Sequence, residues 1–164
     1  RVITARYAAE TEKVVKLALI GSLYTATDAS KICPFLIDVM KDPDNEIAGL
    51  AGYGIVWSNG TCKDSYDAFN AAYKARLATI KADFAFVLKT GYMAQAKDAT
   101  DAQKAAFLEA SEAGILADVS ISGMARAAVL ETIGKFGGPS AKAVAKKYLA
   151  DKDSFVSDAA KKIK

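Results

Sequence analysis

Two short clusters of oxygen-bearing side chains have a spacing that could do chemistry: Asp42, Asp44 and Asn45, and far downstream Asp151 and Asp153. Alternating aspartates open calcium loops, but such a loop also needs a glycine at its sixth position and a bidentate glutamate at its twelfth. Counted from Asp42, those places hold Ile47 and Tyr53; counted from Asp151, they hold Val156 and Lys162. Both loops fail, and helix capping accounts for the aspartates, so no metal site is expected. The acid pairs Glu10/Glu12, Asp64/Asp67 and Glu109/Glu112 lie among lysines in polar parts of predicted helices. Acid–base catalysis asks for a carboxylate held in a cleft with a shifted pKa, and solvated faces do not provide that. Histidine is absent, which removes His-based triads, bases and ligands together. Two cysteines without a Cys-x-x-Cys spacing cannot build a structural zinc site. Gly49, Gly52 and Gly54 follow no strand and precede no Gly-Lys-Ser/Thr, so they read as close helix contacts rather than a phosphate loop. No catalytic residue is expected, and a hydrolase or transferase working with carboxylates alone is the minor reading.

The cysteines suggest something else. A helical hairpin turning at residues 42–44 returns its second helix toward the start of its first, where Cys33 lies; Cys62 follows the loop at 58–61. A Cys33–Cys62 bridge would close 28 intervening residues; two unrelated buried thiols are the alternative. Asn59-Gly60-Thr61 is also an N-glycosylation pattern on a predicted exposed loop. Together these features favour a secretory or organellar lumen, a plastid for example, over a reducing cytosol. The chain opens at Arg1 without a signal-peptide pattern, which fits a processed or a truncated form.

The elements that would carry these residues are helices. Alanine is abundant, there are three prolines, and no stretch alternates with period two. The segment Asp44-Asn45-Glu46-Ile47-Ala48-Gly49-Leu50-Ala51 recurs at 118–125 and 153–160 as Asp-x-x-[Ile/Val]-[Ala/Ser]-[Gly/Asp]-[Leu/Met/Ala]-Ala, with copies 74 and 35 residues apart. Self-similarity at this period indicates stacked helical hairpins, each unable to bury its apolar face alone. We therefore expect an all-α fold, a short α-solenoid of antiparallel hairpins forming one domain over residues 1–164, irregular in the middle. The repeats are clearest at 28–60 and 100–164, and 61–99 is degenerate. Helices are expected near 4–24, 29–41, 43–57 with Pro43 at the first helical position, 100–116, 119–136, 139–150 and 153–163, with Ile47, Ile121 and Val156 buried at equivalent places. No apolar run approaches the roughly 20 residues needed to cross a bilayer.

The stretch from Ala125 to Gly137 (ARAAVLETIGKFG) and the turns at 149–156 and 40–44 resemble HEAT-like repeat proteins, in particular the short units of phycobilisome lyases. The arginine often found after the apolar residue opening the second helix of such a unit is replaced here by Ala48, Ser122 and Ser157. Because that arginine helps order neighbouring repeats, an irregular stack is expected. The resemblance implies a helical scaffold for protein partners and, more narrowly, a lyase or chaperone role for a pigment protein.

Two surfaces are candidates for binding. Tyr53, Trp57, Tyr66, Phe69, Tyr73, Phe84, Phe86 and Tyr92 concentrate aromatics in the central third. Core packing explains them, while a hydrophobic groove or a pigment or lipid cavity is the sharper reading, with Tyr53, Trp57, Tyr66, Tyr73, Phe84 and Phe86 as its lining. Residues 135–164 hold eight lysines against three aspartates, although the whole chain carries only +3. Lys142, Lys146, Lys147, Lys161 and Lys162 are the candidates there for contacting an acidic partner or a membrane surface, and a solvated end cap is the plain alternative. Basic residues do not interleave with the aromatics, which argues against nucleic acid. The leading expectation is a non-enzymatic protein-interaction scaffold, an accessory subunit or adaptor of a larger assembly, with no cofactor. The alternative is a chromophore-handling protein of a photosynthetic antenna, either a bilin lyase or chaperone or a pigment carrier.

Overall fold

A computed structural model describes residues 2–25, 28–58, 61–79, 90, 91, 93, 96–136 and 138–164, with the side chains of Thr79 and Phe136 excepted. The described residues are all-helical, without a strand: α1 (Val2–Ala9), α2 (Lys13–Gly21), α3 (Ala29–Val39), α4 (Asn45–Trp57), α5 (Tyr66–Thr79), α6 (Asp101–Ser111), α7 (Gly123–Phe136), α8 (Gly138–Tyr148) and α9 (Ser154–Lys161). A 3₁₀ turn, Lys63–Ser65, leads into α5, and a π turn, Glu112–Leu116, prolongs α6. Phe84, Phe86, Asn59 and Tyr92, singled out from the sequence, lie outside the described residues.

Local capping chemistry starts several of these helices. Asp44 accepts from the N–H groups of Glu46 and Ile47 at the head of α4, and Asp153 accepts from Phe155 at the head of α9. Thr100 and Gln103 form a reciprocal capping box on α6. Asp42 and Asp151 lie one step further out, each accepting the N–H of the aspartate two residues on at 2.9 Å. The two acidic clusters are thus the same device used twice, a turn followed by a cap.

Two sequence expectations about helix bounds need correction. The single helix expected over 4–24 is broken into α1 and α2, because the Glu10 carboxylate takes the N–H groups of Thr11 and Glu12 and ends the first helix. Near 118 the repeat copy does not cap a helix. The Asp118 Oδ1 accepts from the N–H and hydroxyl of Ser120, and α7 begins only at Gly123, with the Ser122 hydroxyl accepting from Ala125. Ile121 is therefore buried just ahead of its helix, whereas Ile47 and Val156 are buried inside theirs.

Helices α3, α5, α6 and α8 begin at residues 29, 66, 101 and 138, close to the period of the sequence repeat. Several contacts fix their directions. The Cys33–Cys62 link joins the start of α3 to the approach of α5. At the other end Arg76 of α5 reaches the carbonyls of Met40, Asp42 and Pro43, just beyond α3. These two helices are parallel. Asn70 bonds Gln103 near the starts of α5 and α6, and Leu77 packs on Gly114 beyond them, so that pair is parallel too. On the other side α7 and α9 run together: Gly123 lies against Asp153 at their starts and Gly134 against Ile163 at their ends. Turns at 40–44, 117–122 and 149–153 join α3 to α4, α6 to α7 and α8 to α9. Gly138, at a φ of 75° that only glycine takes without cost, turns the chain from α7 into α8.

The core runs through these layers. Phe69, Tyr73 and Phe107 stack with ring centroids 6.1 and 5.0 Å apart, all essentially without exposure. Gly54 lets the Tyr24 ring approach α4 so closely that a Cβ there would lie 2.5 Å from it. Position 122 is serine, but four residues on an arginine links two turns. Arg126 is buried; its Nε donates to the Leu116 carbonyl at 3.0 Å and its Nη2 to Asp151 at 2.6 Å. It ties the turn before α7 to the turn before α9, much as Arg76 ties α5 to the turn before α4.

Candidate partner-binding surfaces

The parallel packing of α5 on α6 leaves a groove of about 530 Å³ lined by Asn70, Ala71, Lys74, Leu77 and Ala78 on one wall and Ala106, Glu109, Ala110, Ala113 and Gly114 on the other, with Asp118 at its end. Small residues create it, because alanine and glycine fill little of the space between two helix axes. The π turn matters here. It places Gly114 where Leu77 can enter, and a Cβ on Gly114 would lie 2.8 Å from that side chain. Ala71, Ala78, Ala106 and Ala113 are exposed along the walls, as are Lys74 and Glu109. Neither Lys74 nor Glu109 makes an ion pair among the described residues. Asn70 is 8% exposed; its Nδ2 donates to the Gln103 carbonyl at 2.9 Å, and its enclosed Oδ1 has no hydrogen-bond partner among the described residues.

The basic end is only partly free. Lys147 pairs with Glu112 at 2.6 Å, which raises the lysine above its ordinary pKa through that hydrogen bond, and Lys161 pairs with Asp158 at 3.0 Å. Lys142 and Lys146 are exposed one turn apart on α8, and Lys162 lies with Lys135, Lys164 and Glu131 around a second groove between α7 and α9. These three lysines have no ion pair among the described residues. Lys135 and Lys162 also stand at helix C-termini, where a cation offsets the dipole, so part of their role is local.

The structure divides the candidate aromatics. Tyr66 and Tyr73 are closed into the core, each 1% exposed, and burial pushes both phenols above their ordinary pKa. Tyr73 shares a hydrogen bond with the Ser111 hydroxyl at 3.0 Å. Tyr53 and Trp57 stack on each other beside Tyr24 at the far end of α4, with Trp57 half exposed. The described members of the set therefore do not line one cavity.

The acidic turns are occupied by the protein's own groups. Hydrogen bonding to Arg126 holds the Asp151 carboxyl below its ordinary pKa, and Lys13 does the same for Asp44. No group of three or more metal-ligating side chains gathers among the described residues. None of the described helices is long and apolar enough to cross a membrane.

Sequence reasoning missed the groove, Arg76 and Arg126. One signal for the groove was present: Ala71 and Ala106, Lys74 and Glu109, and Ala78 and Ala113 are each 35 residues apart, the offset between the starts of α5 and α6. Comparison with protein-family models, curated proteins and solved structures finds no match.

Proposed function

We propose that this protein is a non-enzymatic protein-interaction scaffold, a short HEAT-like stack of helical hairpins acting as an accessory subunit or adaptor in a larger assembly. The observation that carries the reading is the open groove between α5 and α6, lined mostly by small apolar side chains, with one charge on each wall that makes no ion pair among the described residues. Interfaces of this kind combine a small apolar centre with a polar rim. The stacking period supports it as well: Lys74, Glu109 and Lys146 each occupy the ninth position of their helix, in α5, α6 and α8. The groove and the basic end thus belong to equivalent helices, and the partner we infer spans both, presenting acidic groups to Lys142 and Lys146. The chromophore-handling alternative gains nothing from the described aromatics, since two are sealed in the core and two stack on each other at the surface.

Affinity purification from the native source, followed by mass spectrometry, tests this reading. The wild-type chain is expected in a stoichiometric complex that the exposed-wall variant Ala106→Trp weakens, with circular dichroism confirming that the variant folds. A chain recovered alone under gentle, low-salt conditions would overturn the scaffold reading.

A further inference from the structure

We propose that the α5–α6 groove receives one amphipathic helix of a partner protein, engaged over about two turns, with small apolar side chains along its centre, an acid on the flank facing Lys74 and a base on the flank facing Glu109. This rests on the scaffold reading and says what the scaffold holds. The shape argument comes first. The groove is concave and bounded by two parallel helices, and its α5 wall runs from Asn70 to Ala78, roughly 12 Å at 1.5 Å per residue. That length matches two turns of a helix anchored through positions i, i+3 or i+4, and i+7. A second copy of the same concave face would leave the space empty, so shape selects a convex ligand.

Charge narrows the ligand further. Lys74 and Glu109 occupy the same level of two parallel helices, since each is the ninth residue of its own. One lines each wall, together with small side chains, and neither makes an ion pair among the described residues. An occupant acidic on both flanks gains at Lys74 and is repelled at Glu109, and one basic on both flanks meets the reverse. Only mixed flanks satisfy both walls, a selection that works as much by repulsion as by attraction. At the groove's other end Asn70 is over nine-tenths buried and holds the two walls together, its Nδ2 donating to the Gln103 carbonyl.

The test uses three capped, fluorescently labelled 16-residue helical peptides sharing one alanine/leucine stripe. The first has Glu along one flank and Lys along the other, the second Glu on both, the third Lys on both. Anisotropy titrations of the full chain are expected to show the mixed peptide binding roughly fivefold to tenfold more tightly than either of the others, the ratio expected when one rim pair turns from attractive to repulsive. Lys74→Glu, on an exposed side chain that the fold does not use, should transfer the preference to the all-Lys peptide, and Ala106→Trp should weaken all three. Equal affinity for the three peptides, binding indifferent to Ala106→Trp, or dimerisation of the chain alone that Ala106→Trp abolishes would each overturn the proposal. If no peptide binds while a native complex forms despite Ala106→Trp, the helix occupant fails and the scaffold reading stands on its other surfaces. Absence of any native complex defeats the scaffold reading itself.

Discussion

Replacing Asp151 by asparagine should destabilise the protein by about 2–3 kcal/mol, because it breaks an enclosed ion pair while keeping its shape. The Arg126 and Asp151 side chains are 4% and 14% exposed, with Nη2 2.6 Å from Oδ2. Removing one partner of such a pair costs about 3–5 kcal/mol when the remaining charge is left stranded. Here the loss is smaller: asparagine keeps an oxygen for the Asp153 N–H, and Arg126 retains the Leu116 carbonyl. In urea the midpoint should fall by roughly 1 M at an unchanged slope, and Tm should drop by roughly 5–10 °C. The pH dependence carries its own sign. Because Arg126 depresses the folded-state pKa of Asp151, the pair stabilises above the unfolded carboxylate value, roughly 3.9, and that stability disappears as pH falls through the folded value. The difference between wild type and Asp151→Asn should therefore be full at pH 7 and shrink below about pH 4. A cycle with Arg126→Met should show a coupling above about 1 kcal/mol. A penalty under about 0.5 kcal/mol, a penalty equal at pH 7 and pH 3, or additive single variants would refute the claim that this pair locks the two turns together.

Three further outcomes are expected. Alkylation of native-source protein without reductant should leave its intact mass unchanged, because Cys33 and Cys62 are at bonding distance with Cα atoms 5.6 Å apart; two added labels would contradict the bridge, whose removal by Cys33→Ala/Cys62→Ala should cost roughly 3–4 kcal/mol. Ile121→Ala should cost roughly 2–4 kcal/mol in chemical denaturation, since the side chain is 6% exposed; a loss below about 1 kcal/mol would mean the site collapses around the smaller residue. Reversing Lys142 and Lys146 to glutamate should weaken the native complex most at low salt; an unchanged complex would assign both lysines to a solvated cap.

Helix starts were legible in the sequence because capping is local. Asp44, Thr100 and Asp153 act within three residues of themselves, so their identity suffices. Local reading failed where a neighbour in space intervened. Asp118 has the same sequence frame as Asp44 and Asp153, yet α7 starts five residues later, where Gly123 meets the Asp153 carboxylate of the next hairpin. A Cβ at position 123 would lie 2.0 Å from that oxygen, so the glycine answers to a contact 30 residues away rather than to its own turn. The arginines escaped for a related reason. The sequence frame attends to Ala48, Ser122 and Ser157, whereas what matters is that a guanidinium reaches a turn's carbonyls or carboxylate, and the long side chains of Arg76 and Arg126 allow that from other positions.

The groove was hidden in a different way, and its origin bears on what the protein does. Hydrophobic periodicity assigns residues to faces of a single helix; it does not say which helices become neighbours or leave space between them. The small residues Ala71, Ala78, Ala106 and Ala113 read singly as good helix formers, and Lys74 and Glu109 as ordinary surface charges. Laid out at the 35-residue offset of their helices they become matched pairs, small opposite small and positive opposite negative. A stack that needed only stability would gain from larger apolar side chains at those places, because filling the gap between adjacent helices adds burial. Alanine there forgoes that gain and leaves the space between the two walls unfilled. The charges on the two walls follow the same logic, since neither is in an ion pair among the described residues. Both choices make sense if something else enters the groove, which is why the peptide titration bears on the function of the whole chain and not only on one surface of it.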